Sequence, residues 1–250
     1  MSPVTTALLS SPVAGPAPSA GALAARSGDG TWFSNPAVKS HLGPATAETF
    51  AMTFVSGVLV IGFGLLLGLA LVTTGKRGQH RNRAVYEILS QIVNIGRSIP
   101  YIILALWIVA FTRFIVGVSI GNTAAIVPLT LSAVPFIARM VENMLNEVPG
   151  GLIEAAQAMG ASPTQIMRKV LLPEALPGII NALTITLIAL IGYSAIAGAL
   201  GAGGLGKVAY AYGYQRYRPD IMLYTVCIIV VLVQNIQWLG DALARRFDHR

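Results

Sequence analysis

Gly201, Gly203 and Gly206 fall in the pattern GxGxxG, which between a strand and a helix wraps backbone around a dinucleotide pyrophosphate. Here the preceding residues form a long apolar run and no alternating strand pattern surrounds them, so they read as a flexible, closely packed turn. A Walker A loop is also lacking: Gly75-Lys76 is followed by Arg77, and the glycine needed five residues before Gly75 is Ala70. Gly192-Tyr193-Ser194 offers a hydroxyl nucleophile, but such a group needs a base within reach. The histidines are His41, His80 and His249, all outside the apolar runs, and Asp241 lies near the end of one. Tyr193 and Ser194 therefore read as groups that line a pathway or bond to a helix, and no residue is assigned to catalysis or to a metal. Arg97 interrupts an apolar region, where an unpaired charge is costly and marks a functional position by default. Its structural alternative is snorkelling, or pairing with Glu87 or another segment. Arg139 and Glu142, three apart, suit a local helix pair. Asn181, Gln234 and Asn235 suit bonds between helices. Cys227, the one cysteine, rules out an intramolecular disulfide and reads as a small packing residue.

The elements that must hold these residues are unusually apolar. Of 250 residues, 54% are hydrophobic and 11% charged, against about 25% charged in an ordinary soluble domain, and the mean hydropathy is +0.68. The apolar residues gather into runs that suit a bilayer. Five spans are expected, over about residues 49–75, 84–112, 121–142, 175–200 and 220–242. The second is the least regular, broken by Glu87, Arg97 and Pro100 and kinked near the proline. Gly64 and Gly68 form a GxxxG pair that lets another helix approach closely. Residues 1–47, rich in Ala, Ser, Pro and Gly, read as a disordered tail without the basic start and compact apolar core of a secretory signal, and residues 246–250 as a short C-terminal tail.

The net charge of +7 does not point to nucleic acid, because the basic residues sit mostly between the apolar runs and form no face with interleaved aromatics. They set topology instead. Lys76, Arg77, Arg81 and Arg83 mark a cytoplasmic loop; the N-terminus is then outside, and nine Lys and Arg lie on inside segments against six outside. The charged loop after the third span and the C-terminus face the cytoplasm.

That loop, from Pro149, reads PGGLIEAAQAMGASPTQIMRKVLLPEALPG. Its punctuation describes two short helices: Gly160 closes the first as a left-handed cap, and Ser162 opens the second, with Pro163 at the first helical position and Gln165 completing a capping box. Leu152, Ala156 and Met159, then Ile166 and Val170, recur at helical spacing and give each helix an apolar face.

Glu154-Ala155-Ala156, three residues, Gly160, nine residues, then Val170-Leu171-Leu172-Pro173 resembles the signature of permeases in binding-protein-dependent ABC importers, with Val170 where isoleucine is frequent. Within that family, VNIGRSIPYIIL, IGNTAAIVPLTLSAVPFIARMVENML, the loop with its continuation through GAGGLG, and AYGYQRY are similar to methionine-importer permeases, over most of residues 49–245. The resemblance implies an all-α integral membrane protein of the type I ABC-importer permease fold, with five transmembrane helices and a cytoplasmic coupling helix in the loop at residues 149–173. It implies coupling to an ATPase through Glu154, Ala155, Ala156, Gly160, Val170, Leu172 and Pro173; Arg97, Tyr193 and Ser194 are the candidate pathway residues. The implied partners are a second copy of the chain, two ATPase subunits that bind ATP with Mg, an extracytoplasmic substrate-binding lipoprotein, and membrane lipid. The implied cargo is methionine, in some members the D isomer, and the implied location the bacterial cytoplasmic membrane, with no cofactor on this chain. The alternatives are the same permease carrying another amino acid or small metabolite, and a channel or scaffold that works without ATP.

Overall fold

Backbone in hydrocarbon must satisfy its own N–H and C=O groups, and a helix does so within one segment. The computed structural model describes residues 36–75 and 82–247, and every regular element among them is helical. The elements are α1 (Pro36–Thr74), α2 (Arg83–Ser98), α3 (Tyr101–Trp107), α4 (Val109–Val116), α5 (Asn122–Asn146), α6 (Gly150–Ala158), α7 (Pro163–Ile166), α8 (Leu172–Ala199), α9 (Gly204–Val208) and α10 (Pro219–Phe247). Two π-helical turns, Met167–Leu171 and Ala209–Tyr214, join α7 to α8 and extend α9. By length and composition, four stretches suffice to cross a membrane: Ser40–Thr74, Asn122–Asn146, Pro163–Ala199 and Pro219–Phe247. The pair α2–α3, bent by 101°, gives a fifth, broken span when its two helices are taken together.

The bend has a local cause. Pro100 has no N–H and pushes the residue before it out of helical conformation; Ile99 is extended, at φ −84° and ψ 119°. The expected second span is thus three helices. Before the bend α2 runs antiparallel along one half of α5. Tyr86 Oη donates to Glu142 Oε1 at 3.0 Å, Arg139 Nη2 donates to Ser90 Oγ at 2.8 Å and to Asn94 Oδ1 at 2.9 Å, and Gly96 lies against Pro135. Arg139 and Glu142 form the expected pair, at 2.5 Å, with the Glu142 residue only 4% exposed. Gly64 and Gly68 of α1 lie against Ile137, Ala138 and Val141 of α5, as the GxxxG spacing predicts.

Other expectations are corrected. Helix α1 begins at Pro36, not near residue 48, because Leu42 and Ala45 are buried in a small core with Leu205, Val208 and Ile221; residues 1–35 lie outside the described residues. Helix α10 runs to Phe247, so the expected C-terminal tail is helical at Arg246 and Phe247. Lys76, Arg77 and Arg81 of the basic loop lie outside the described residues, and Arg83 pairs with Glu87 at 2.7 Å. Cys227 is exposed on α10 and packs no core. Asn235 is satisfied by its own helix, through the carbonyl of Val231 at 2.7 Å, rather than across helices.

Candidate functional site

Helix α6 ends in a Schellman motif. Gly160 N–H donates to Gln157 O at 2.9 Å and Ala161 N–H to Ala156 O at 3.0 Å, with Gly160 at φ +79°. The capping box is complete: Ser162 Oγ accepts from Gln165 N–H, and Gln165 Oε1 accepts from Ser162 N–H at 2.8 Å. The second helix does not stop where a separate hairpin would. It continues through the π turn, where Leu172 N–H reaches Met167 O, into α8. A π turn at this point fits Pro173, which has no N–H for the normal ladder and whose ring would crowd a carbonyl one turn earlier. The loop and the fourth span are therefore one mechanical element.

The apolar face of α6 points differently from the one expected. Ala156 is buried and Ile153 half-buried, while Leu152 is 43% and Met159 81% exposed. Helical spacing identified an apolar set; only tertiary packing decides which members this chain covers. Glu154, Ala155 and Met159 are all exposed, and no described residue pairs with Glu154. Ile166 and Leu171 are buried, Val170 and Leu172 half-buried, and Pro173 exposed. The signature residues thus divide between anchors (Ala156, Val170, Leu172) and an outward surface (Glu154, Ala155, Gly160, Pro173). Among the described residues nothing lies within 4 Å of a side chain added at Gly160, so its left-handed φ is the local requirement for glycine.

The candidate pathway residues do not converge. Tyr193 of α8 stacks on Tyr101 of α3, with centroids 5.0 Å apart and rings 6° from parallel. Tyr101 also lines a largely apolar cavity of about 210 Å³, with Thr112, Ala124, Ala125, Pro128 and Ala197. Among the described residues, Tyr101 Oη has no hydrogen-bond partner although it is buried. Ser194 is different: it is 2% exposed and its hydroxyl donates to Ile191 O at 2.7 Å, so it bonds its own helix and leaves the pathway set. Arg97 is exposed and does not pair with Glu87, whose carboxylate is held by Arg83.

The glycine-rich turn is closely packed as expected, and its peptide donors are already used. Gly204 N–H donates to Glu48 Oε2 at 2.6 Å and Leu205 N–H to Thr49 Oγ1 at 2.8 Å. Gly198 and Gly206 bring the backbones of α8 and α9 together, leaving no room for a side chain at either position. Glu48 and Thr49 were missed by sequence reasoning because their partners lie 156 residues away; the one available signal was an acid at the very start of an otherwise uncharged run.

The chain as a whole is similar to known proteins. Residues 61–250 match the family model described as binding-protein-dependent transport system inner membrane component. The chain belongs to that permease family. Over 206 residues this permease is 54% identical to a probable D-methionine transport system permease protein of Vibrio cholerae, covering 82% of this chain and 92% of the relative. It is 62% identical over 151 residues to the D-methionine transport system permease protein of Escherichia coli, covering 60% of this chain and 70% of that one. A chain of the MetNI methionine ABC transporter, solved in inward-facing conformations, superposes with a TM-score of 0.83 at 54% identity, covering 86% of this permease and all of that chain. An amino acid ABC transporter at 21% identity and TM-score 0.68 shares the fold. The permease is thus an all-helical, multi-pass membrane protein with the type I ABC-importer architecture.

Proposed function

We propose that this chain is the membrane-spanning subunit of an ATP-driven methionine importer. Two copies form the translocation pathway, two ATPase subunits bind and hydrolyse ATP with Mg, and an extracytoplasmic lipoprotein delivers the cargo. The chain itself performs no covalent chemistry. The single observation that carries the coupling role is the exposed surface of α6, with Leu152 and Met159 uncovered and Glu154 unpaired among the described residues, on a loop continuous with α8. An apolar patch rimmed by charge marks an interaction site, and a partner groove that seats it would move α8 directly. Closure of the ATPase dimer on ATP would then rock the spans between inward-open and outward-open states.

In this reading Glu154, Ala155, Gly160 and Pro173 form the outward surface, and the anchors Ala156, Val170 and Leu172 transmit its movement into the bundle. Arg97 and Tyr193 remain as pathway residues. The location is the bacterial cytoplasmic membrane, with the loop and C-terminus inside and the N-terminus outside, as the basic loop at residues 76–83 favours. Methionine as cargo rests on the similarity to methionine permeases over most of their length. The test is ATP-dependent uptake of labelled methionine into vesicles holding the complete complex, competed by other amino acids. Saturable uptake displaced by methionine alone is expected. Uptake displaced by another compound would discard the cargo, and uptake without ATP would discard the mechanism in favour of a channel.

A further inference from the structure

Helix α2 carries three distinct faces. One, with Tyr86, Ser90, Val93 and Gly96, packs on α5. A second, Val85, Ile88, Ile92 and Ile95, is apolar and exposed, between 40% and 62%, as suits contact with lipid tails. The third, Glu87, Gln91, Asn94 and Ser98, recurs at helical spacing of four, three and four residues and is polar and exposed in the single chain. An amphipathic helix lying flat on a membrane would show only two faces, apolar down and polar up. The contacts of α2 exclude that posture, since they run in order from Glu142 past Arg139 to Pro135 along a helix long enough to span. At that depth a row of polar groups in hydrocarbon is costly and belongs against water or protein.

We propose that the Gln91–Asn94–Ser98 face of α2 is a wall of the water-filled translocation pathway, and that Arg97, at its edge, is the cation that meets the carboxylate of an amino-acid zwitterion in transit. The inference rests on the permease reading above and adds to it a wall and a substrate contact. Asn94 keeps its carbonyl on Arg139 Nη2 and Ser98 Oγ bonds Asn94 O at 2.9 Å. The guanidinium of Arg97 faces no described carboxylate. It sits one residue before the Ser98–Pro100 break, where the 101° bend ends α2 beside Pro135, midway along α5. A guanidinium presents a planar fork that matches a carboxylate in two hydrogen bonds.

The test uses the complete complex in proteoliposomes, in a Cys227→Ser background, with single cysteines at Gln91, Ser98, Ile88 and Ile92. A sulfonated, membrane-impermeant methanethiosulfonate is applied to both sides. Because the thiolate is the reactive form and needs water, Gln91→Cys and Ser98→Cys should label at least about tenfold faster than Ile88→Cys and Ile92→Cys. A cooperative unfolding transition matching the parent's, and co-purification with the ATPase subunit, certify the fold of each variant before labelling. Equal labelling of both faces, or protection of the polar one, overturns the wall. Arg97→Met should raise the KM for uptake about tenfold or more, while Arg97→Lys holds it closer to the parent; equal KM values in the two variants overturn the carboxylate contact. Failure of ATP-driven uptake in the Cys227→Ser parent would instead count against the permease mechanism, and labelling reads the wall regardless of which amino acid is carried.

Discussion

At one end of α8, Gly204 and Leu205 give their N–H groups to Glu48 and Thr49, and Gly206 lies against the backbone of Ala195. At the other end, Glu154 has no partner among the described residues and Met159 is 81% exposed. The two regions are joined by one helix of 28 residues, about 42 Å of rigid connection. The glycine-rich end gives its Gly204 and Leu205 donors to partners within this chain. The loop end has a satisfied backbone and a buried anchor, yet its outer surface awaits something else. Function divides accordingly: a closed end holds the spans together, and an open end receives a signal from outside the chain.

That contrast can be broken by mutation, ranked by the expected effect on thermal unfolding in detergent. The largest loss belongs to Arg139→Met, which leaves the buried Glu142 carboxylate with only the Tyr86 hydroxyl; it should cost about 3–5 kcal/mol, whereas Arg139→Lys should recover part of it. Next is Gly206→Val, whose side chain would meet the Ala195 backbone; overpacking of this kind should cost about 3 kcal/mol. Third is Glu48→Ala, which strands the Gly204 N–H and should cost about 2 kcal/mol, with Glu48→Gln intermediate because it keeps an acceptor. Smallest are Glu154→Lys and Met159→Asp, at exposed positions, which should change stability by no more than about 0.5 kcal/mol. An unfolding loss from Glu154→Lys as large as that from Glu48→Ala would erase the distinction between the two ends.

Much of this division was legible in the residues. Hydropathy located the long spans, the order Ser162-Pro163-Thr164-Gln165 wrote out its own capping box, and Gly160 declared its left-handed cap, because caps and spans are set by neighbours in sequence. The pair Arg139 and Glu142 was readable for the same reason. What stayed hidden depends on packing between distant segments. Nothing near Leu152 and Met159 tells that this chain leaves them uncovered while Ala156 turns inward. Pro100 announced a break but not a 101° turn, nor that α2 would then run beside α5 with an exposed polar face. The start of α1 at Pro36 is concealed by an Ala- and Pro-rich composition that reads as tail, and it takes the pocket around Leu205 and Ile221 to order Leu42. The π turn before Pro173 joined what punctuation alone had separated.

The most direct test of the account is the affinity of the partner ATPase subunit for this chain in proteoliposomes, measured for the parent and for Met159→Asp combined with Glu154→Lys, alongside ATP-driven methionine uptake. The double variant should unfold at nearly the parent temperature, bind the ATPase at least about tenfold more weakly, as for loss of an interface hot spot, and lose uptake in step. Unchanged affinity and uptake in a well-folded double variant would contradict it, and would show that the exposed face of α6 is not where the energy enters.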